Sequence, residues 1–246
     1  MFLNGFCRLL IKGIPPLLTR GRFPVPASRM KAAFYKLSSP AGSRFAMLFF
    51  GVVLPGIVLT GIVLLASGCS QAYKNPHVSI HTRLGDIEVE LFPDQAPRSV
   101  AAFLSYVDSG FYTNASFYRV LNEDNQPSGM PKSELIQGGI WKRNSARASS
   151  LPGIPHETTR QTHILHKDGV LSLARRAPGT ATTEFFICVG DQPGFDYGGD
   201  NNPDGQGYAA FGRVVKGRDI VGMIYNRPEE DQSFTPPIDI FEIVRK

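Results

Sequence analysis

Strict alternation marks the first clear element. Along Asp86–Phe92, Ile87, Val89 and Leu91 point one way while Asp86, Glu88 and Glu90 point the other. A period of two with one apolar and one charged face predicts a half-buried strand, one side on a core and the other in water. Val78-Ser79-Ile80 precedes it as a second strand, and Leu84-Gly85 between the two runs predicts a tight hairpin.

The period then changes. Val100, Phe103, Leu104 and Val107 share one face of a 3.6-residue repeat, with Pro97 suited to a first turn and Gly110 to a stop, which predicts an amphipathic helix. Short apolar runs predict further strands at 117–121, 135–138, 170–174, 184–189, 209–215 and 238–244, and a second short helix over 219–225. Many short strands, two isolated helices and no βαβ alternation predict a mostly β fold, an antiparallel closed sheet with helices at its ends. Two polar loops interrupt the series, Asn122–Ser133 and Gly190–Gly207. The second is rich in carboxylates and amides, which invites a calcium reading, but its spacing does not match an EF-hand and turn chemistry accounts for its Gly, Asn, Asp and Pro.

Charge divides the chain in a way that its formal net of +5 conceals. Eight of the 26 Lys and Arg precede Cys69 and all 21 Asp and Glu follow it, leaving 18 basic and 21 acidic residues, a net of −3, from Cys69 onward. The basic character belongs to the leader, so a nucleic-acid partner loses its main support and membrane targeting gains it. The leader, residues 1–68, has scattered positive charge, an apolar stretch from Phe45 to Leu65 and small residues before a cysteine. Leu64-Leu65-Ala66-Ser67-Gly68-Cys69 resembles a bacterial lipobox, which makes Cys69 a lipidation site and the first mature residue. The stretch is also long enough to span a bilayer uncleaved, and a transmembrane anchor is the second reading. Lys31, Lys36 and Arg44 stay cytoplasmic in either case, placing the rest outside. Met30 is an alternative start. The expected organisation is a leader over 1–68, a tether over 69–76 and one domain over 77–246.

Cys188, in the run Phe185–Val189, is the one cysteine beyond Cys69, and a buried inert thiol is expected there. His163 and His166 are three apart, but no third ligand is suitably placed, so no metal is expected.

The order of several segments carries a resemblance. Leu84–Phe92, Ala96-Pro97, Phe103, Tyr106-Val107, Gly110-Phe111-Tyr112, Phe117-Tyr118-Arg119-Val120, Ile136-Gln137-Gly138-Gly139, Gly169–Ala174, Phe185-Phe186-Ile187 and Ala210–Val214 follow one another as in bacterial cyclophilins. The family resemblance implies a closed eight-stranded antiparallel barrel capped by two α-helices, and peptidyl-prolyl cis-trans isomerase activity without metal or cofactor. It makes Arg119 the catalytic residue and Gln137 its companion on the substrate backbone. It lines the proline slot with Leu135, Phe186, Phe195 and Tyr208, and lays the substrate peptide along the backbone of Ala174 and Arg175.

Phe117-Tyr118-Arg119-Val120 resembles the family's Phe-His-Arg-Val segment, and two residues depart from the family pattern: Glu184 stands where Gln is usual, and Glu134 takes the place of a slot-lining Phe. About ten extra residues separate Arg119 from Gln137 relative to compact relatives. Glu184 is expected beside Arg119, either orienting the guanidinium or competing for it. The expected partners are proline-containing segments of exported proteins and, through the lipid, a membrane, with the outer membrane favoured by Ser70 after the cysteine. A monomer is expected. The competing reading is a peptide-binding holdase with little catalysis.

Overall fold

A computed structural model describes residues 73–246. The expectations for the leader and for Cys69 lie outside the described residues.

Eight strands close into one antiparallel ring. They are β1 (His77–Thr82), β2 (Gly85–Leu91), β3 (Ala115–Leu121), β4 (Leu135–Gly139), β5 (Val170–Leu173), β6 (Phe185–Cys188), β7 (Ala209–Lys216) and β9 (Ser233–Arg245), with β8 (Glu229–Glu230) a two-residue appendage on β9. The order is β1-β2-β7-β5-β6-β4-β3-β9, and β9 returns to β1. Closure leaves no unpaired strand edge in the ring, which removes the usual route to edge-to-edge association. The hairpin expected at Leu84-Gly85 joins β1 to β2, with Thr82 opposite Gly85.

Helix α1 (Pro97–Asp108) buries the expected stripe of Val100, Phe103, Leu104 and Val107. Its first turn is held from a distance by Glu157, whose carboxylate accepts the Arg98 and Ser99 N–H groups at 3.1 and 2.8 Å. Helix α4 (Arg218–Tyr225) is the second expected helix. Two further helices, α2 (Trp141–Ser150, interrupted at Asn144) and α3 (Thr159–Thr162), go beyond the expected pair. Helix α2 buries little besides Ala148, so it offers no apolar stripe to read. Helix α3 is one turn with a capping box between Thr158 and Gln161. Strand β9 begins five residues before its expected start, because Phe234 is buried and the strand continues through Pro236-Pro237.

The barrel interior is aromatic at its centre. Phe185 packs edge-on against Phe103, Tyr112 and Phe117, and Phe103 also meets Phe211. Alternation on β6 then separates two environments: Phe185 and Ile187 belong to this main core, while Phe186 and Cys188 face the other way into a second, smaller apolar cluster.

Candidate active site

The smaller cluster contains Leu135, Phe186, Cys188 and Phe195, with Leu121, Ala174 and Tyr208 packed against it. Three strands, the residue after β5 and the loop between β6 and β7 supply it, so the chain brings together residues from 121 to 208 that no local pattern links. The rings of Phe186, Phe195 and Tyr208 meet pairwise edge to face, at 63–85° with centroids 5.1–5.2 Å apart. Burial raises the pKa of the Cys188 thiol far above its ordinary value, which makes it an inert wall atom.

Behind Phe186 lies a buried support. His166 stacks on its ring, donates from Nδ1 to Asp196 at 2.8 Å and shares a hydrogen bond between Nε2 and the Ser172 hydroxyl at 3.0 Å. Asp, His and Ser in line resemble a nucleophilic triad, but Ser172 and His166 are 0 % and 1 % exposed and no substrate reaches them. The line fixes the positions of Phe186 and of Phe195, which follows Gly194 and precedes Asp196.

A register row crosses the barrel beside this cluster. Ser233 on β9 lies opposite Arg119 on β3, Arg119 opposite Gln137 on β4, Gln137 opposite Phe186 on β6, and Phe186 opposite Ser172 on β5. Strict alternation along β3 would put Arg119 on the face of Phe117. Instead both neighbouring ladders shift register between the two residues, and the bulge lets Phe117 and Val120 enter the core while Arg119 reaches outward.

The Arg119 guanidinium is held on two sides. Nη2 donates to Gln232 Oε1 at 2.7 Å with Nε also pointing there at 3.3 Å, and Nη1 donates to Gln137 Oε1 at 3.3 Å. The chain of bonds continues in one direction. Gln137 Nε2 donates to the Tyr118 hydroxyl at 2.8 Å, which donates to Glu184 Oε2 at 2.6 Å. The carboxylate can only accept, so its charge fixes the direction of every donor back to Arg119. On its other oxygen Glu184 accepts the N–H groups of Ile140 and Trp141 at 2.9 and 3.0 Å and the Thr183 hydroxyl at 3.0 Å. Burial pushes the Glu184 carboxyl above its ordinary pKa, against the pull of these donors on its charge.

Glu184 therefore does not sit against Arg119 as the sequence suggested. It is spent on the start of α2 and on Tyr118, and touches the guanidinium only through Tyr118 and Gln137. Arg175 departs in a similar way: its guanidinium binds Asp204 through both nitrogens at 2.7 and 2.9 Å and the Gly207 carbonyl at 2.8 Å, tying down the long loop. Glu134 stands outside the apolar cluster, with the Tyr225 hydroxyl as its donor. The Ala174 N–H is bonded to the Glu184 carbonyl at 2.9 Å.

Tyr118 and Gln232 are the two site residues that sequence reasoning passed over. Tyr118 stood inside a matching segment and its partner Glu184 stood out as a departure, and nothing linked the two until β3 and β6 were placed on either side of β4. Gln232 sits in a turn with a left-handed backbone, φ 66°, far from any motif, and also donates to the Asn125 carbonyl of the inserted loop at 3.0 Å. The Gly-Gly pair acquires a physical reason. A Cβ at Gly139 would meet the Glu184 carboxylate at 2.5 Å, and one at Gly138 would meet Phe117 and the Ser116 carbonyl at 2.9 Å.

The family model for cyclophilin type peptidyl-prolyl cis-trans isomerases matches residues 77–245. This chain belongs to that family. It is an isomerase of prolyl peptide bonds, similar to a peptidyl-prolyl cis-trans isomerase of Acinetobacter baylyi, with 36% identity over 160 residues covering 65% of this chain and 77% of the relative. Peptidyl-prolyl cis-trans isomerase B of Escherichia coli is 35% identical over 148 residues, covering 60% of this chain and 82% of that one. The crystal structure of a Cryptosporidium parvum cyclophilin type isomerase shares the fold, with a TM-score of 0.54 and 24% identity over 70% of this chain and 97% of that chain.

Proposed function

We propose that this cyclophilin rotates X-Pro bonds in exported polypeptides, with Arg119 as the catalytic donor, while held at the outer side of a bacterial membrane by acyl chains on Cys69. The observation that carries the site is the placement of the Arg119 guanidinium, fixed by Gln137 and Gln232, one strand pair away from the isolated cluster of Leu135, Phe186, Phe195 and Tyr208. A planar X-Pro amide resists rotation by about 18–20 kcal/mol. Bringing exchange from roughly a minute to milliseconds requires removing about 6–7 kcal/mol. Rotation breaks amide resonance and returns a lone pair to the prolyl nitrogen, so a donor aimed at that nitrogen binds the twisted state more tightly than the planar one. The apolar cluster supplies a floor for the ring, Gln137 a contact for the backbone, and Ala174 and Arg175 the strand along which the peptide lies. No proton or covalent bond is transferred.

The export setting rests on the leader: its charge, the apolar stretch and the lipobox-like end at Cys69. A proline-limited peptide assay tests the site. Arg119→Ala should lower turnover by about a hundredfold, the scale for losing one transition-state donor, with a much smaller change in peptide affinity. Arg119→Lys should be nearly as slow, because an ammonium cannot bridge two glutamines as the planar fork does. A folded variant of either kind with near wild-type rate removes Arg119 from the role, and background rates in the wild-type protein would favour a holdase.

A further inference from the structure

A separate cavity of about 700 Å³ opens on the outside of the barrel, between the β1–β2 turn, the start of α2, the segment after α4 and β9. None of its lining residues belongs to the Arg119 site. Its walls are apolar, from Leu84, Pro228, Pro236, Pro237 and Ile238, and its charged residues are Arg83, Lys142, Arg143, Arg227 and Asp239. Four cations face a single carboxylate. Asp239 is already shared between Arg83 and Arg143. Among the described residues Lys142 and Arg227 have no ion-pair partner, so the cavity keeps a positive excess.

The second observation is on the floor. Ser116, on β3, lines the cavity and is 0 % exposed, yet its hydroxyl oxygen has no hydrogen-bond partner. A buried hydroxyl without a partner costs free energy, and a ligand acceptor in the cavity would satisfy it. An apolar pocket of this size with a few converging polar groups is the usual form of a small-ligand site.

From these features we infer that the cavity binds a small amphipathic anion, a carboxylate or phosphate group on an apolar body. The body packs on the prolines and Leu84, an oxygen accepts the Ser116 hydroxyl, and the charge is met by Lys142 and Arg227. The same chemistry is offered by a free organic acid and by an anionic lipid headgroup, and the test separates them. Such a site would give the isomerase an input independent of its peptide groove.

The full-length chain in nanodiscs of uncharged lipid is titrated calorimetrically with 3-phenylpropionate, phenyl phosphate and the neutral 3-phenylpropionamide, with empty nanodiscs as background. One or both anions should bind saturably, at least about tenfold more tightly than the amide, a difference of about 1.4 kcal/mol. Lys142→Gln with Arg227→Gln should weaken the anion about tenfold or more, and Ser116→Ala about fivefold. Nanodiscs doped with phosphatidylglycerol identify the source: competition with the anion supports a lipid headgroup, and undiminished binding supports a free acid. The inference is overturned if neither anion binds, if the amide binds equally well, or if the Ser116 and Lys142/Arg227 variants retain wild-type affinity. Isomerase rates measured on the same samples keep this outcome distinct from that of the Arg119 reading.

Discussion

Tyr118→Phe isolates the directed chain of hydrogen bonds from the residues it serves. The substitution keeps the ring and removes one oxygen that both donates to Glu184 and accepts from Gln137. Loss of a bond to a charged acceptor costs about 1.5–3 kcal/mol, and the Gln137 amide left without its acceptor adds about 1 more. A total of about 2–4 kcal/mol follows, and for a domain of this size each kcal/mol lowers the melting temperature by about 2–4 °C. The midpoint should therefore fall by roughly 5–15 °C. Turnover should fall about tenfold, less than for Arg119→Ala, because Gln232 still holds the guanidinium from the other side. Thermal unfolding, the proline-limited assay and a double-mutant cycle with Glu184→Gln make the measurement. The cycle should show a coupling of about 1–3 kcal/mol, as expected for partners in one network. A melting shift under about 2 °C, or strictly additive effects of the two substitutions, would refute the relay.

Two carboxylates, the part-buried Glu184 and the buried Glu88, should act on stability in opposite senses. Glu184 has a raised pKa, so the folded protein takes up its proton before the unfolded chain does; its charge costs stability at neutral pH, and that cost fades as pH falls through the folded value. Unfolding measured from pH 7 toward 4.5 in Glu184→Gln should lose this component, and an unchanged profile would contradict the assignment. Glu88 resists the upward pull of its own burial through donors from Lys246, His77, Lys216 and Tyr73, which hold its pKa at about 2. Its contribution is complete above pH 4.5 and is lost as pH falls toward 2, so acid unfolding of Glu88→Gln should be flatter in that window. In cells, Cys69→Ala should leave a larger, unprocessed precursor by intact mass, whereas a native protein that retains 45–65 would replace the acyl anchor with a spanning one.

What could be read from the chain in advance was whatever repeats along it. The alternation in Asp86–Phe92 and the stripe of α1 both have a covered and an uncovered face, and all eight ring strands carried enough apolar signal to be placed. Helix α2 had no such signal, because it is held at its start by a carboxylate 43 residues away rather than by an apolar face. The site divides along the same line. Phe186 and Arg119 lie in recognisable segments, but the bulge that turns Arg119 outward is a property of three paired strands and has no counterpart in one of them. Glu184 read as a departure facing Arg119. Its carboxylate needs a donor, and the Tyr118 phenol beside Arg119 supplies it.

The closure of the ring bears on how the domain withstands pulling. Strand β1 follows the segment that leads back toward Cys69, and it is bonded along both edges, to β2 through six residue pairs and to β9 through five. The component of a load at His77 that runs along the strand meets the hydrogen bonds of both ladders crosswise, so they must yield together rather than one after another. Had β1 been an end strand of an open sheet pulled away sideways, the same bonds would have parted in sequence at far lower force. Under the proposed acyl tether at Cys69, this strand is the one loaded whenever a client is drawn away, and the barrel seam places mechanical resistance there.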